Sequence, residues 1–253
     1  GFVMKKVIAL NLVALASIGF AVQAQAYQAE IIGSYENLDN DVIDVDAYQV
    51  GGEFYLDGVD TSSGPFVEAA FLDQATSFRG TYRDNDVTDG VILGGRFVDQ
   101  NSGMLFEADV ATGDLDGYNI GVGMYVDSQS TIIANYVEQD DFTDGFGIGY
   151  KNLLSQNNGT YINMEAKAQF LENDFNQEFS SFAIAGDYFF NKTMSLGADV
   201  AVNTGDLDST VYGINGSLFL AQNITLQASL SQEDIDGTDS NETSMLVGGK
   251  VRF

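Results

Sequence analysis

Ten charged side chains stand at the polar positions of segments that are otherwise apolar at every second residue: Glu53, Arg96, Glu107, Asp109, Lys151, Glu165, Lys167, Asp187, Asp199 and Lys250. Charges spaced in this way share one face of an extended chain, six acids against four bases. They can set the potential of a water-filled space or pair across it, holding its shape. A second set comes in runs: Asp39, Asp41, Asp44 and Asp46; Asp86 and Asp89; Asp140, Asp141 and Asp144; and Asp234, Asp236 and Asp239. Carboxylates in groups suit Ca²⁺. None of these runs follows the D-x-[DN]-x-[DN]-G pattern with a distal Glu, so a hydrated acidic rim with no metal or cofactor is expected, Ca²⁺ at these loops being the alternative. The chain has no His and no Cys. General-base chemistry near neutral pH therefore lacks its usual group. A carboxylate pair could substitute, but none of the 37 acids stands out, and the chain is not expected to be an enzyme.

The elements that must carry these charges are strands. Ile162, Met164, Ala166, Ala168 and Phe170 interleave with Asn163, Glu165, Lys167 and Gln169, a period of two with two different faces. The pattern recurs at Met194 to Asn203, at Ile224 to Ser231 and at Asn119 to Asp127. Pro65 is the only proline and no segment has a convincing amphipathic helical period, so an all-strand chain is expected.

Ahead of the strands, Met4, Lys5 and Lys6 precede the apolar run Val7 to Val22, and Ala24-Gln25-Ala26 offers a small-x-small cleavage site. Residues 1–26 are read as an export signal with a short upstream extension at 1–3, leaving a chain from Tyr27. The run is short for a spanning helix, which needs about 20 apolar residues. Export with no cysteine excludes a disulfide scaffold. The 227 residues from Tyr27 hold all 37 acids and 8 of the 10 bases, a net charge of −29. Such a charge often marks disorder, but 18 Phe, 12 Tyr and the alternation argue for a folded chain. No basic patch exists to neutralise phosphates, so nucleic acid is not an expected partner.

Alternation alone would fit a soluble sandwich; the turns decide. Acidic turns at 37–44, 84–89, 113–117, 139–144, 172–177, 205–208 and 233–242 alternate strictly with near-neutral ones at 58–64, 100–103, 127–130, 155–159, 191–192 and 221–223. Thirteen turns sorted onto two ends give fourteen strands, with 12 and 16 as neighbouring counts, in an antiparallel up-and-down transmembrane β-barrel (residues 27–253). About 16 residues are available per strand and turn, against about 9–11 needed to cross a bilayer. Aromatics flank both sets of turns: Phe54, Phe66, Phe97, Tyr161, Tyr188, Phe190 and Phe219 toward the neutral end, and Tyr48, Tyr118, Phe146, Phe170 and Tyr212 toward the acidic end. Two girdles at the membrane interfaces are the expected reading. The last segment alternates and ends on Phe253. A terminal aromatic on a final strand resembles outer-membrane proteins generally, where it belongs to the signal read by the barrel-insertion machinery.

The segment Gly64-Pro65-Phe66-Val67-Glu68-Ala69-Ala70-Phe71-Leu72 resembles a stretch found in a porin family of marine gammaproteobacteria. It covers nine residues and transfers no functional residue. The resemblance implies a porin of a Gram-negative outer membrane and no particular solute. Within 65–83 the strand pattern is in conflict, because Asp73 and Arg79 share a parity with Val67, Ala69 and Phe71. A bulge or an overshooting rib would reconcile them.

A 14-stranded barrel falls between those filled by side chains and those holding a wide channel, so a narrow water-filled lumen is expected. No plug domain and no long acidic loop is expected, which leaves constriction to side chains on the strands. The acidic turns, being the longer set, belong outside the cell. Passive diffusion of small hydrophilic solutes and ions with cation preference follows from the charge at that mouth. Expected partners are outer-membrane lipid and lipopolysaccharide, the insertion machinery, small solutes and cations, and a second copy of the chain, since lipid-facing apolar residues also suit contact with another barrel. The alternative is a structural or cell-surface interaction barrel presenting an acidic, Ca²⁺-binding rim.

Overall fold

The computed structural model describes residues 26–40, 44–85, 88–114, 116–139, 143–173, 178–205, 208–236 and 241–253. The first half holds β1 (Ala26–Asn40), β2 (Asp44–Asp60), β3 (Ser77–Asn85), β4 (Asp89–Asp99), β5 (Met104–Gly113), β6 (Gly117–Asp127) and β7 (Ser130–Gln139). The second holds β8 (Thr143–Ser155), β9 (Tyr161–Asn173), β10 (Glu178–Asn191), β11 (Met194–Thr204), β12 (Ser209–Ala221), β13 (Ile224–Ile235) and β14 (Asn241–Arg252). Each strand pairs antiparallel with its neighbours in sequence, and β1 pairs with β14 from Glu30 opposite Arg252 to Asn40 opposite Glu242. The sheet is a closed barrel of fourteen strands. Closure leaves no open sheet edge, the condition for crossing lipid with strands.

The two-residue period sorts the faces. Phe146, Ile184, Leu93 and Leu220 are 67, 64, 61 and 61% exposed. Such exposure of large apolar side chains is costly in water and suits a hydrocarbon environment. The interleaved residues point inward. At the neutral end several hairpins share a local device: the carboxylate or amide of Asp99, Asp127 and Asn191 accepts the backbone N–H of the residue two further on, at 3.1, 2.7 and 2.7 Å. Such side-chain turns help reverse the chain, at Asp99 together with Gly103, φ 74°.

One connection departs from this plan. A short neutral turn at 58–64 followed directly by strand is the sequence expectation, and it is wrong. β2 runs on to Asp60, residues 61–76 form a connector, and β3 begins only at Ser77. Within the connector Phe66–Glu68 is a 3₁₀ turn and α1 (Ala69–Leu72) a single helical turn, so the chain is not all strand. The conflict of parity in 65–83 disappears, because the residues up to Leu72 are helical and Arg79 alone keeps a strand position. Gln74 ends α1 in the left-handed region, φ 52°.

The connector crosses the neutral end of the lumen. The Phe66 N–H donates to the Lys192 carbonyl at 2.9 Å, and Arg252 Nη1 donates to the Phe66 carbonyl at 2.7 Å. On the far side the Tyr125 hydroxyl donates to the Phe71 carbonyl at 2.9 Å. Phe71 joins a buried cluster with Val98, Leu105, Tyr125, Leu153 and Phe189, while Ala69 joins Tyr27, Tyr55 and Val59. Three aromatics expected in the neutral girdle serve this interior instead. Phe66 stacks edge-on against the buried Phe219, with ring centres 5.4 Å apart, and Tyr161 packs on the Phe71 cluster. Phe54, Phe97, Tyr188 and Phe190 do face outward.

Candidate functional site: the lumen

All ten charged candidates lie on the inward parity, opposite the exposed apolar residues of their strands. Most are brought into charge pairs, across neighbouring strands, along one strand or, for Asp109, across an intervening strand. Arg96 Nε donates to Glu107 at 2.5 Å. Asp109 receives Arg79 through two bonds, at 2.9 and 2.7 Å, the fork geometry that fixes a guanidinium on a carboxylate. Lys151 lies 3.1 Å from Glu165 and 2.7 Å from Glu68 of the connector, and 5.0 Å above the Phe71 ring. Lys167 lies 3.6 Å from Glu165. Lys250 meets Glu30 at 2.9 Å, and the same carboxylate accepts Arg252 Nε at 2.6 Å. Glu53 accepts the Ser77 hydroxyl at 2.6 Å.

Among the lumen charges absent from the sequence-based set are Glu30, Glu68, Arg79 and Arg252, with Glu36, Arg83 and Glu233 nearer the acidic mouth. Glu30 and Arg252 were within reach of the alternation, since Arg252 shares the parity of Lys250. Glu68 was not, because its burial depends on the connector folding inward.

The pairing divides the lumen into two walls. Every base on the strands belongs to the arc from β14 through β1 to β9, and each has a carboxylate within 4 Å. The strands β10 to β13 carry no Lys or Arg; the base on this arc is Lys192, in the turn between β10 and β11, which donates to the Ser62 carbonyl of the connector. The inward residues of this arc are largely small or polar, apart from Phe189 and Phe219 at the neutral end, with three acids among them: Asp187, Asp199 and, toward the acidic mouth, Glu233, which accepts the Ser209 hydroxyl at 2.6 Å. Asp187 and Asp199 each lie over a glycine directly across the strand pair, Gly197 and Gly213, where a side chain would collide with the carboxylate. Asn163 donates from Nδ2 to Asp187 at 3.1 Å. A cavity of about 250 Å³ separates this wall from Val67 and Glu68 of the connector.

At the other end Asp39, Asp44, Asp89, Asp144 and Asp236 are exposed and Asp234 is half-buried. Asp44 accepts Asn37 Nδ2 at 2.8 Å and Asp144 accepts the Tyr136 hydroxyl at 3.1 Å. Asp41, Asp86, Asp140, Asp141 and Asp239 lie outside the described residues, as does the proposed export signal up to residue 25. Among the described residues no three acidic side chains are grouped to hold a metal ion. Phe253 is 38% exposed, and its backbone is held by Ala29 and Gln28 of β1.

Fourteen antiparallel strands closed on themselves, apolar outside and charged within, define a transmembrane β-barrel of a Gram-negative outer membrane. Residues 4–156 and 137–253 match the family described as "Putative general bacterial porin", and the chain belongs to that family. Among solved structures it is similar to the outer membrane protein Omp33 of Acinetobacter baumannii, at 20% identity and a TM-score of 0.75 over 91% of this chain and 100% of that one. It is also similar to a bacterial polysaccharide outer membrane secretin, at 9% identity and a TM-score of 0.53 over 90% of this chain and 99% of that one. Both likenesses concern the fold. No curated protein matches the chain.

Proposed function

We propose that the protein is a passive diffusion channel for small hydrophilic solutes and ions, with a preference for cations and no enzymatic activity. The observation that carries the reading is the distribution of charge. Exposed aspartates gather at the mouth away from the chain termini, while each base on the strands is neutralised by a carboxylate within 4 Å. A negative mouth raises the local concentration of cations, and paired bases offer anions no compensating site. In planar bilayers under a salt gradient the reversal potential should have the sign of cation selectivity; an anion-selective potential would remove the preference.

The connector supports a second reading, a sealed barrel with a structural or cell-surface role, because Phe71, Tyr125, Leu153 and Phe189 fill part of the neutral end. Liposome swelling in small sugars and amino acids separates the two: swelling supports the channel and its absence the sealed barrel. Export through residues 4–26 is part of the proposal. Mass spectrometry of the outer-membrane form should place its first residue at Tyr27, and a retained leader would refute it. Phe253 is assigned to recognition by the insertion machinery, so its deletion should lower the folded fraction in outer membranes; an unchanged fraction would argue against that role.

A further inference from the structure

We propose that ions pass the connector on one side only, along the wall formed by β10 to β13, and that Asp187 is the side chain that selects cations there. The inference rests on the channel reading and adds a route and a residue to it.

The connector is not centred in the lumen. Phe71 and Ala69 dock it, through two buried clusters, onto residues of β4, β5, β6, β8 and β10 and of β1 and β2. Lys151 ties Glu68 to the same side. Phe66 also ties the start of the connector to Phe219 of β12 and to the turn between β10 and β11, but beyond it Val67 and Glu68 stand off across the 250 Å³ cavity from Asp187, Ser195, Ser217 and Ser229. A single water takes roughly 30 Å³ of liquid volume, so this gap has room for several. Its far wall offers hydroxyls, amides and carboxylate, groups able to replace part of the hydration shell of a cation.

Charge agrees with space. Asp187 has no Lys or Arg within 4 Å among the described residues, unlike Asp109, Glu107 and Glu165. Asn163, 2% exposed, holds the carboxylate from one side, and its own Oδ1 is buried without a partner. An unsatisfied buried acceptor beside an unpaired carboxylate is an arrangement that a passing cation or its water would complete. Asp199 stands beyond Gly197 on the next strand, one step closer to the acidic mouth, so a cation meets a second carboxylate before Asp187.

The chain has no cysteine, which allows a direct test in the full-length protein. Ser229→Cys and Thr81→Cys place single thiols on the wall of the route and on the opposite wall at β3. After reaction with a bulky methanethiosulfonate, single-channel conductance should fall more than twofold for Ser229→Cys and by less for Thr81→Cys. Equal loss at the two positions, or greater loss at Thr81, would overturn the route. Asp187→Asn should lower the cation-to-anion permeability ratio at least twofold; an unchanged ratio would overturn the role of Asp187. The thiol test distinguishes failure of the route from failure of the cation preference. If the wild-type protein shows no cation preference, the channel proposal loses its selectivity, while thiol labelling still reports where ions pass.

Discussion

Glu30 closes the barrel, and its replacement measures how much that closure contributes. The carboxylate is 1% exposed and lies at the seam of the first and last strands, 2.9 Å from Lys250 and 2.6 Å from Arg252. Arg252 is engaged on every side: its guanidinium lies 4.4 Å from the Tyr27 ring and 5.0 Å from that of Phe219, and it donates to the Phe66 carbonyl of the connector. Glu30→Gln preserves volume and one neutral acceptor but strands two cations in a site where water cannot replace the lost charge. Two charge-assisted hydrogen bonds are worth about 1.5–3 kcal/mol each, and a neutral amide recovers about 1 kcal/mol. The expected loss is therefore about 2–5 kcal/mol, which agrees with the cost of about 3–5 kcal/mol for removing one partner of a buried pair. Equilibrium urea unfolding of the refolded barrel in lipid, followed by the heat-dependent shift in gel mobility, reads the change. Arg83 with Glu36, 3.4 Å apart and with side chains 54 and 30% exposed, is the internal control, expected at about 0–1 kcal/mol. The double variant Glu30→Gln with Lys250→Gln should cost less than the sum of the single ones, since each removes the reason for the other. A loss below about 1 kcal/mol for Glu30→Gln would refute the reasoning, because the site would then be wet enough to solvate the two bases.

Three further outcomes follow from the same geometry. Phe71→Ala should destabilise the barrel by about 3–5 kcal/mol, as for buried aromatics generally, and raise channel conductance and noise as the connector loosens; unchanged conductance with lowered stability would show that the connector does not narrow the path. Cation preference should weaken as salt rises, because the Debye length falls from about 10 Å at 0.1 M to about 3 Å at 1 M and screens the acidic mouth; reversal potentials independent of ionic strength would dismiss the mouth as a source of selectivity. Asp73 is held above the usual carboxylate range by burial and by the charges of Asp60 and Asp57, so its charged form opposes folding. Its contribution to stability improves as pH falls through the raised value. Asp73→Asn, which keeps an acceptor for the Asp60 N–H, should raise the melting temperature near pH 7 and lose that gain near pH 3. A gain that persists at low pH would show that charge is not the cause.

Much of the barrel was legible because two independent local signals agree. The period of two fixes which side chains meet lipid, and turn chemistry fixes which end each hairpin occupies; together they yield fourteen strands. Both signals are local, and so are the pairs across neighbouring strands, such as Arg96 with Glu107. The connector was not legible for the same reason. Ala69-Ala70-Phe71-Leu72 are good helix formers, but four residues leave no period to detect, and Phe71 read as a strand residue points to lipid when it in fact docks inward. Phe66, Tyr161 and Phe219 were misassigned because an aromatic at a strand end looks the same whether its ring faces the membrane or the lumen.

These failures share a cause that bears on function. Glu68, Phe66, Phe219 and Arg252 gain their roles from residues distant in sequence, Glu68 from Lys151 and Phe66 from Phe219 and Arg252, across separations as large as the 186 residues between Phe66 and Arg252. A closed sheet dictates the inner face of every strand without dictating what occupies the space between them. That space is contested here by a segment whose Phe71 and Ala69 pack toward one side and whose Phe66 holds the other only at the neutral end. On the proposed channel reading, selectivity would be decided less by the total of lumen charges, which pairing largely cancels, than by the wall the segment leaves uncovered. The strands of that wall carry no base, and Asp187, which has no Lys or Arg within 4 Å among the described residues, is the carboxylate of the wall that stands beside the open space.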